Sequence, residues 1–154
     1  MEENGLVKTY MNIENLSFYD KSSDKHIKRT IVYPNSIPQD NIHKYFLKSI
    51  SQEINLEINN DIENCVCYFD YRELKIHKET QKNKIDNYWI DGEIHLMIHE
   101  NEDFDKYKLI VLSTNLDKQE VFNKLKEKKK LIYLNTLEDC WIKRKGNEYE
   151  TIII

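Results

Sequence analysis

The sequence predicts a single α+β domain over residues 1–154, with a mostly antiparallel sheet, two helices, one βαβ crossover and a C-terminal β-hairpin. Three observations favour this fold class. Several stretches alternate apolar and polar residues with the period of a strand, two stretches space apolar residues as a helix does, and clusters of turn residues separate them. A length of 154 residues fits one domain, because two domains would each be small.

The first third of the chain predicts two strands followed by a helix. Residues 6–33 alternate as strands do, with turn residues at Asp20–Asp24, and Pro34 closes the segment. A helix is expected to begin near Pro38, after a capping box that starts at Ser36. Its apolar residues recur every three or four positions and form one stripe: Ile42, Tyr45, Phe46, Ile50 and Ile54.

A strand with two cysteines is expected from Asn64 to His77, with Cys65 and Cys67 on one of its faces. Cys140 is the third cysteine, and an odd number of cysteines favours reduced thiols in a cytoplasmic compartment. A closed zinc site needs four ligands, usually from paired Cys and His residues, and no second pair is present. We therefore expect buried free thiols, without a metal or another cofactor.

A first hairpin is predicted around Asp91-Gly92, a dipeptide that is typical of two-residue turns. This turn would place Trp89 opposite Ile94 and Ile85 opposite Ile98, and so form a mostly apolar face.

The last third of the chain predicts a strand, a helix and a further strand. Leu109–Leu112 and Leu131–Leu134 are short apolar runs, and Asp117 and Glu120 between them form a capping box. The helix is expected to end near Lys130. Continuous apolar strands on both sides of a helix favour a βαβ crossover with a parallel pair.

The chain is expected to close with a second hairpin around Gly146-Asn147, and no internal repeat is apparent. The predicted register contains two ion pairs and one apolar pair: Lys145 opposite Glu148, Lys143 opposite Glu150, and Trp141 opposite Ile152.

Composition narrows the classes of function. The net charge of −4 and the presence of only three arginines argue against nucleic-acid binding. The longest apolar runs are four residues, whereas a membrane helix needs roughly twenty, so no membrane span is expected. The acidic start lacks the pattern of a secretory signal, which favours the cytoplasm. The absence of alanine and the abundance of Ile, Asn, Lys and Tyr indicate an A/T-rich genome, such as that of a bacterium or a virus.

One group of residues on the predicted first hairpin could support catalysis. His95, His99, Glu93 and Asp86 share a face there, and a histidine beside a carboxylate suits general acid–base chemistry. The two histidines would lie about 13 Å apart, which is too far for two ligands of one metal ion. An ordinary polar sheet face explains the same pattern. A small hydrolase or nucleotide-modifying enzyme is therefore the alternative hypothesis.

A second group of residues favours protein binding. Between Asp86 and Tyr107 there are seven acidic residues and one basic residue, a local net charge of −6. The acidic residues and their neighbouring aromatic side chains could cover the basic cleft of an effector: Tyr88, Glu100, Glu102, Asp103, Phe104, Asp105 and Tyr107. The leading hypothesis is a non-catalytic inhibitor or immunity-type protein that blocks a basic toxin or nuclease. A structural or virion component is a third class that fits.

Overall fold

Long β-strands dominate the protein. The computed structural model describes residues 6–21, 23–50, 54–57, 61–70, 89–99, 106–128, 131–143 and 151–153. Along the chain, these residues form eight strands and two helices: β1 (Leu6–Asp20), β2 (Lys25–Pro34), α1 (Gln39–Ile50), β3 (Ile54–Glu57), β4 (Ile62–Asp70), β5 (Trp89–His99), β6 (Lys106–Ser113), α2 (Lys118–Lys128), β7 (Leu131–Lys143) and β8 (Thr151–Ile153).

Six of the strands close into a barrel. They follow one another around the ring in the order β1, β2, β7, β5, β6 and β4, and β4 pairs again with β1. Four neighbouring pairs are antiparallel, whereas β2–β7 and β4–β6 are parallel. We call the two parallel contacts the seams. The short strands β3 and β8 pair with β1 outside the ring.

The prediction of an α+β domain with an open, mostly antiparallel sheet is therefore wrong. The described residues form a closed, mostly β barrel to which the two short helices are attached. The prediction failed because it divided two long strands, β5 and β7, into shorter pieces. Both strands are covered on their two faces in places, and that interrupts the alternation of apolar and polar residues.

Three apolar clusters hold the fold together. The first fills the inside of the barrel with Met11, Ile13, Val32, Cys65, Cys67, Ile94, Val111, Cys140 and Ile142. The second joins α1 to the outer face of the barrel, where Ile37, Ile42 and Phe46 pack with Leu16, Phe18, Ile31, Tyr33 and Trp89. The third joins α2 to another part of that outer face, where Val121 and Leu125 pack with Val66, Tyr68, Met97, Ile110 and Leu112.

The hairpin predicted at Asp91-Gly92 does not form. Both residues lie inside β5, and Gly92 pairs with Ser113 on one side and with Cys140 on the other. A Cβ atom at Gly92 would lie 2.4 Å from Ile142 Cδ1, so glycine allows close packing here rather than a turn. The partner predicted for Trp89 is also wrong, because this residue pairs with Lys143. The proposed partner Ile85 lies outside the described residues.

The predicted end of the chain also needs correction. Trp141 pairs with Asp91 and Ile31 rather than with Ile152, because β7 continues across the barrel to Lys143. Strand β8 pairs with β1 instead. The proposed turn at Gly146-Asn147 lies outside the described residues. The predicted parallel pair is wrong too, because β5 separates β6 from β7.

The two helix starts are confirmed. Helix α1 begins at Gln39, immediately after Pro38, and α2 begins at Lys118. Asp117 caps α2, because its Oδ1 accepts hydrogen bonds from the backbone N–H groups of Gln119 at 2.9 Å and Glu120 at 3.4 Å. None of the helices in the described part of the chain has the length and apolar character needed to cross a membrane.

The barrel contains an internal repeat that the sequence does not reveal. A β-β-α-β unit occurs twice, as β1-β2-α1-β4 and as β5-β6-α2-β7. The connection from the second strand to the helix is the same in both units. The Ile37 N–H donates to the Pro34 carbonyl at 3.1 Å, and 79 residues later the Leu116 N–H donates to the Ser113 carbonyl at 3.0 Å.

The strand pairings follow the same two-fold relation. Met11 pairs with Pro34 and Cys65 in the first unit, as Gly92 pairs with Ser113 and Cys140 in the second. At the seams, Ile31 pairs with Trp141 as Ile110 pairs with Val66. Because β1 and β5 run in one direction and the other four strands run in the opposite direction, the approximate two-fold axis lies along the barrel axis.

Candidate functional site

Most residues of the predicted partner-binding segment lie outside the described part of the chain. This applies to Tyr88, Glu100, Glu102, Asp103, Phe104 and Asp105, and also to Asp86 of the alternative catalytic group. His99 and Tyr107 lie in β5 and β6 and pair with Lys106 and Ile98, respectively. In sequence, the acidic segment therefore connects the paired ends of β5 and β6.

His95 is the central residue of the alternative catalytic group, and its side chain is completely buried. Its Nδ1 lies 3.1 Å from the Thr136 hydroxyl, and its Nε2 has no hydrogen-bond partner among the described residues. Burial lowers the pKa of His95, and the nearby Lys118 lowers it further, whereas Glu93 acts in the opposite direction. A hydrolase built on His95 would need a route for substrate to this buried ring.

A buried polar network lies beneath α1, and the sequence analysis did not identify it. Glu14 is completely buried and accepts a hydrogen bond from the Tyr33 hydroxyl at 2.9 Å. His43 Nε2, on α1, lies 2.6 Å from the second carboxylate oxygen of Glu14. Burial and the charge of Glu14 raise the pKa of Tyr33. These contacts attach α1 to the barrel and satisfy a buried carboxylate.

All three cysteines are buried and free, as predicted. Burial raises the pKa of the Cys65 thiol to about 12, and it raises the pKa of Cys140 as well. Buried thiols of this kind are poor nucleophiles, because the thiolate is the reactive form. Within the described ranges, no three His, Cys, Asp or Glu side chains come together to hold a metal ion.

An open cavity of about 430 Å³ lies at one end of the barrel, and five of the six barrel strands border it. We call it the end cavity. Ile13 and Ile94, both buried, contribute to its lining together with Ile62 and Leu137, which are 36% and 50% exposed. Three exposed carboxylate residues also line it: Asp61, Glu63 and Glu138.

The two-fold repeat explains how the end cavity is built. Ile13 pairs with Glu63 in the first unit, as Ile94 pairs with Glu138 in the second. The cavity therefore lies on the approximate two-fold axis, with one isoleucine and one glutamate from each unit.

A β-bulge changes the second unit at this point. Ile94 pairs with Glu138 and His95 pairs with Thr136, so Leu137 has no partner on β5. The extra residue projects a half-exposed leucine at the cavity. Bulges commonly occur beside functional sites, where they redirect a side chain.

These residues could not be identified as a site from the sequence, because they are far apart along the chain. Asp61 and Glu63 flank Ile62 at the start of β4, and Glu138 follows Leu137 in β7. The only local signal is an apolar residue beside acidic ones, which is common on protein surfaces. Closure of the barrel brings the two segments together.

The chain matches no protein-family model, no curated protein and no solved structure in the three comparisons with known proteins.

Proposed function

We propose that the protein is a non-catalytic binding protein that uses the end cavity to hold a basic segment of another protein. One observation carries this proposal. The exposed side chains of Ile62 and Leu137 lie among three carboxylates, and none of the described residues that line the cavity is basic. An apolar patch with a charged rim is typical of protein interaction sites.

Charge complementarity selects the kind of partner. Carboxylates around an apolar centre attract a surface that carries lysine or arginine beside apolar groups, and they repel acidic surfaces. The sequence places four further acidic residues in the segment that connects β5 to β6, both of which border the cavity. A basic toxin or nuclease whose cleft was covered in this way would be inhibited, which supports an inhibitor or immunity-type role.

Reversal of charge in the end cavity tests the proposal. A partner captured from the native host by the wild-type chain is measured against the double variant Glu63→Lys, Glu138→Lys. We expect a basic partner, an affinity that falls with rising salt, and about tenfold or greater weakening by the double variant. Asp40→Lys is the matched control, because this exposed residue of α1 does not line the cavity.

Two further variants measure separately how much the apolar centre of the end cavity and the acidic connecting segment contribute to binding. Leu137→Ser should weaken binding without changing its salt dependence, because it removes an apolar contact only. Reversing Glu102, Asp103 and Asp105 tests whether the connecting segment contributes. The proposal is wrong if the partner binds the double variant and the wild-type chain with equal affinity and equal salt dependence.

A further inference from the structure

The seam between β2 and β7 opens into a second cavity, of about 500 Å³, which shares no lining residue with the end cavity. The two strands pair only at Ile31–Val32 and Trp141–Ile142. Before these residues, β2 continues along β1 and β7 continues along β5, so the strands separate. We call this opening the seam cavity.

One cationic side chain is held in place in the seam cavity. The guanidinium carbon of Arg29 lies 5.3 Å from the ring centroid of Trp141, and Arg29 Nη1 donates a hydrogen bond to the Lys28 carbonyl at 3.1 Å. Trp141 is itself packed against Phe46 and Trp89, with ring centroids 6.1 and 6.4 Å away. An arginine stacked in this way keeps further N–H groups with which to bind a carboxylate.

Two residues with carboxylate side chains, Asp91 and Asp139, line the same cavity as this arginine. Asp91 pairs directly with Trp141 across the strands, and Asp139 precedes Trp141 by two residues and therefore shares its face of β7. Asp139 is opposite Glu93, and like charges in directly opposed positions destabilise a sheet. The pairing of Asp139 with Glu93 therefore lowers the stability of the sheet at this point.

The other seam serves as an internal comparison. It has an equivalent cavity of about 400 Å³ between β4 and β6. In the two-fold relation, Lys108 replaces Arg29, Tyr10 replaces Asp91, Asn64 replaces Asp139, and Val66 replaces Trp141. Because the second seam closes without them, the fold does not require the stacked arginine or the two carboxylates.

We propose that the seam cavity binds a small molecule with one carboxylate and two cationic groups, the chemistry of a free basic amino acid. Arg29 binds the carboxylate, and Asp91 and Asp139 bind the cationic groups. The single positive charge of the ligand complements one arginine and two aspartates. The volume of the cavity falls within the range of small-molecule sites.

Matched ligands test the proposal by calorimetry on the full chain. We expect L-lysine to bind, and two analogues to bind about tenfold more weakly or worse, because each loses a charged hydrogen bond. L-Norleucine lacks the side-chain ammonium group, and cadaverine lacks the carboxylate. Nα-Acetyl-L-lysine, which resembles the C-terminal lysine of a peptide, should also bind more weakly than the free amino acid.

Substitutions in the seam cavity show which side chain binds which charged group of the ligand. Arg29→Gln should weaken the binding of L-lysine without weakening the binding of cadaverine. Asp91→Asn and Asp139→Asn should each weaken the binding of L-lysine, and the variant that leaves the binding of L-norleucine unchanged identifies the carboxylate that binds the side-chain ammonium group. Lys108→Gln in the equivalent cavity should leave L-lysine binding unchanged. The proposal fails if L-lysine does not bind at millimolar concentration, if cadaverine or Nα-acetyl-L-lysine binds as tightly as L-lysine, or if Arg29→Gln and Lys108→Gln have equal effects.

Discussion

Gly92 and Met11 occupy equivalent positions in the two units, yet only Met11 has a side chain. A Cβ atom at Gly92 would lie 2.4 and 2.9 Å from two side-chain atoms of Ile142, and 3.1 Å from the Leu112 carbonyl oxygen. Ile142 therefore fills the space that a side chain at Gly92 would need. Both positions face the same barrel interior, and Ile142 already occupies the space beside the second one. The first unit can therefore carry methionine at this position, whereas the second unit carries glycine.

The Gly92→Ala substitution should reduce the free energy of unfolding by about 1–3 kcal/mol, because it overpacks the barrel interior. Ile142→Val removes Cδ1, the atom closest to the new methyl group, and alone should cost about 0.5–1.5 kcal/mol. In the double variant, part of the loss from Gly92→Ala should be recovered. Urea denaturation of all four proteins measures this coupling, and strictly additive losses would contradict the close contact.

His95 provides a prediction about pH. Its folded-state pKa lies below the ordinary value of 6.5, chiefly because the ring is buried. Above pH 6.5 the imidazole is neutral in both states. As the pH falls below 6.5, the unfolded chain takes up a proton that the folded chain does not, so stability falls until the pH reaches the folded-state pKa.

Replacing His95 with leucine should therefore flatten the pH dependence of the free energy of unfolding below pH 6.5. At pH 8 we expect a change within about 1 kcal/mol, because one ring nitrogen has no hydrogen-bond partner in the described part of the chain and the partner of the other, Thr136, is exposed to water. Denaturation from pH 8 to pH 5 tests both expectations, with the exposed His26→Gln as the control. An unchanged slope in His95→Leu would show that this ring does not cause the loss.

At the scale of elements, α1 and α2 are attached to the barrel in different ways. Beneath α1, Glu14 contacts Tyr33 and His43. At the equivalent positions beneath α2 stand His95, Leu112 and Phe122, and the Val121 and Leu125 side chains supply apolar contacts. The first helix thus combines apolar packing, through Ile42 and Phe46, with a buried polar network, whereas the second depends mainly on packing.

We expect His43→Ala to reduce the free energy of unfolding by about 1–3 kcal/mol, because the buried Glu14 carboxylate then keeps the Tyr33 hydroxyl but loses the His43 ring as a hydrogen-bond partner. The double variant Glu14→Leu, His43→Phe removes the buried carboxylate together with its partner on α1 and should lose less. Phenylalanine is the residue at the position of α2 that is equivalent to His43, namely Phe122. Chemical denaturation compares the two. A double variant less stable than His43→Ala would show that α1 requires the polar network.

Local signals in the sequence were sufficient for the helices and insufficient for the long strands. The start of α2 follows from Asp117, since a capping side chain acts on the backbone within three residues. Asp91-Gly92 misled the prediction, because an Asp-Gly dipeptide has the same appearance in the sequence of a turn as in that of a closely packed strand. Only Ile142, fifty residues later in the chain, distinguishes the two cases.

At the scale of the whole molecule, closure of the barrel could not be predicted from the residues. Each seam depends on two or three pairs of residues from distant parts of the chain, such as Val32 with Ile142. The acidic segment predicted from the sequence, 100–105, lies outside the described residues, and the acidic residues of the end cavity were not predicted. Its two glutamates, Glu63 and Glu138, come together only through the two-fold arrangement.

The two units stand side by side in the ring, each as three consecutive strands, β4-β1-β2 and β7-β5-β6, and they meet only at the two seams. Strand β2 of the first unit lies between β1 and β7, and β6 of the second lies between β5 and β4, so each unit completes the hydrogen bonding of the other. Neither unit alone closes a ring, because the ring needs both seams. We therefore expect the half that is synthesised first to keep the seam edges of its outer strands, β2 and β4, uncovered until its counterpart has formed.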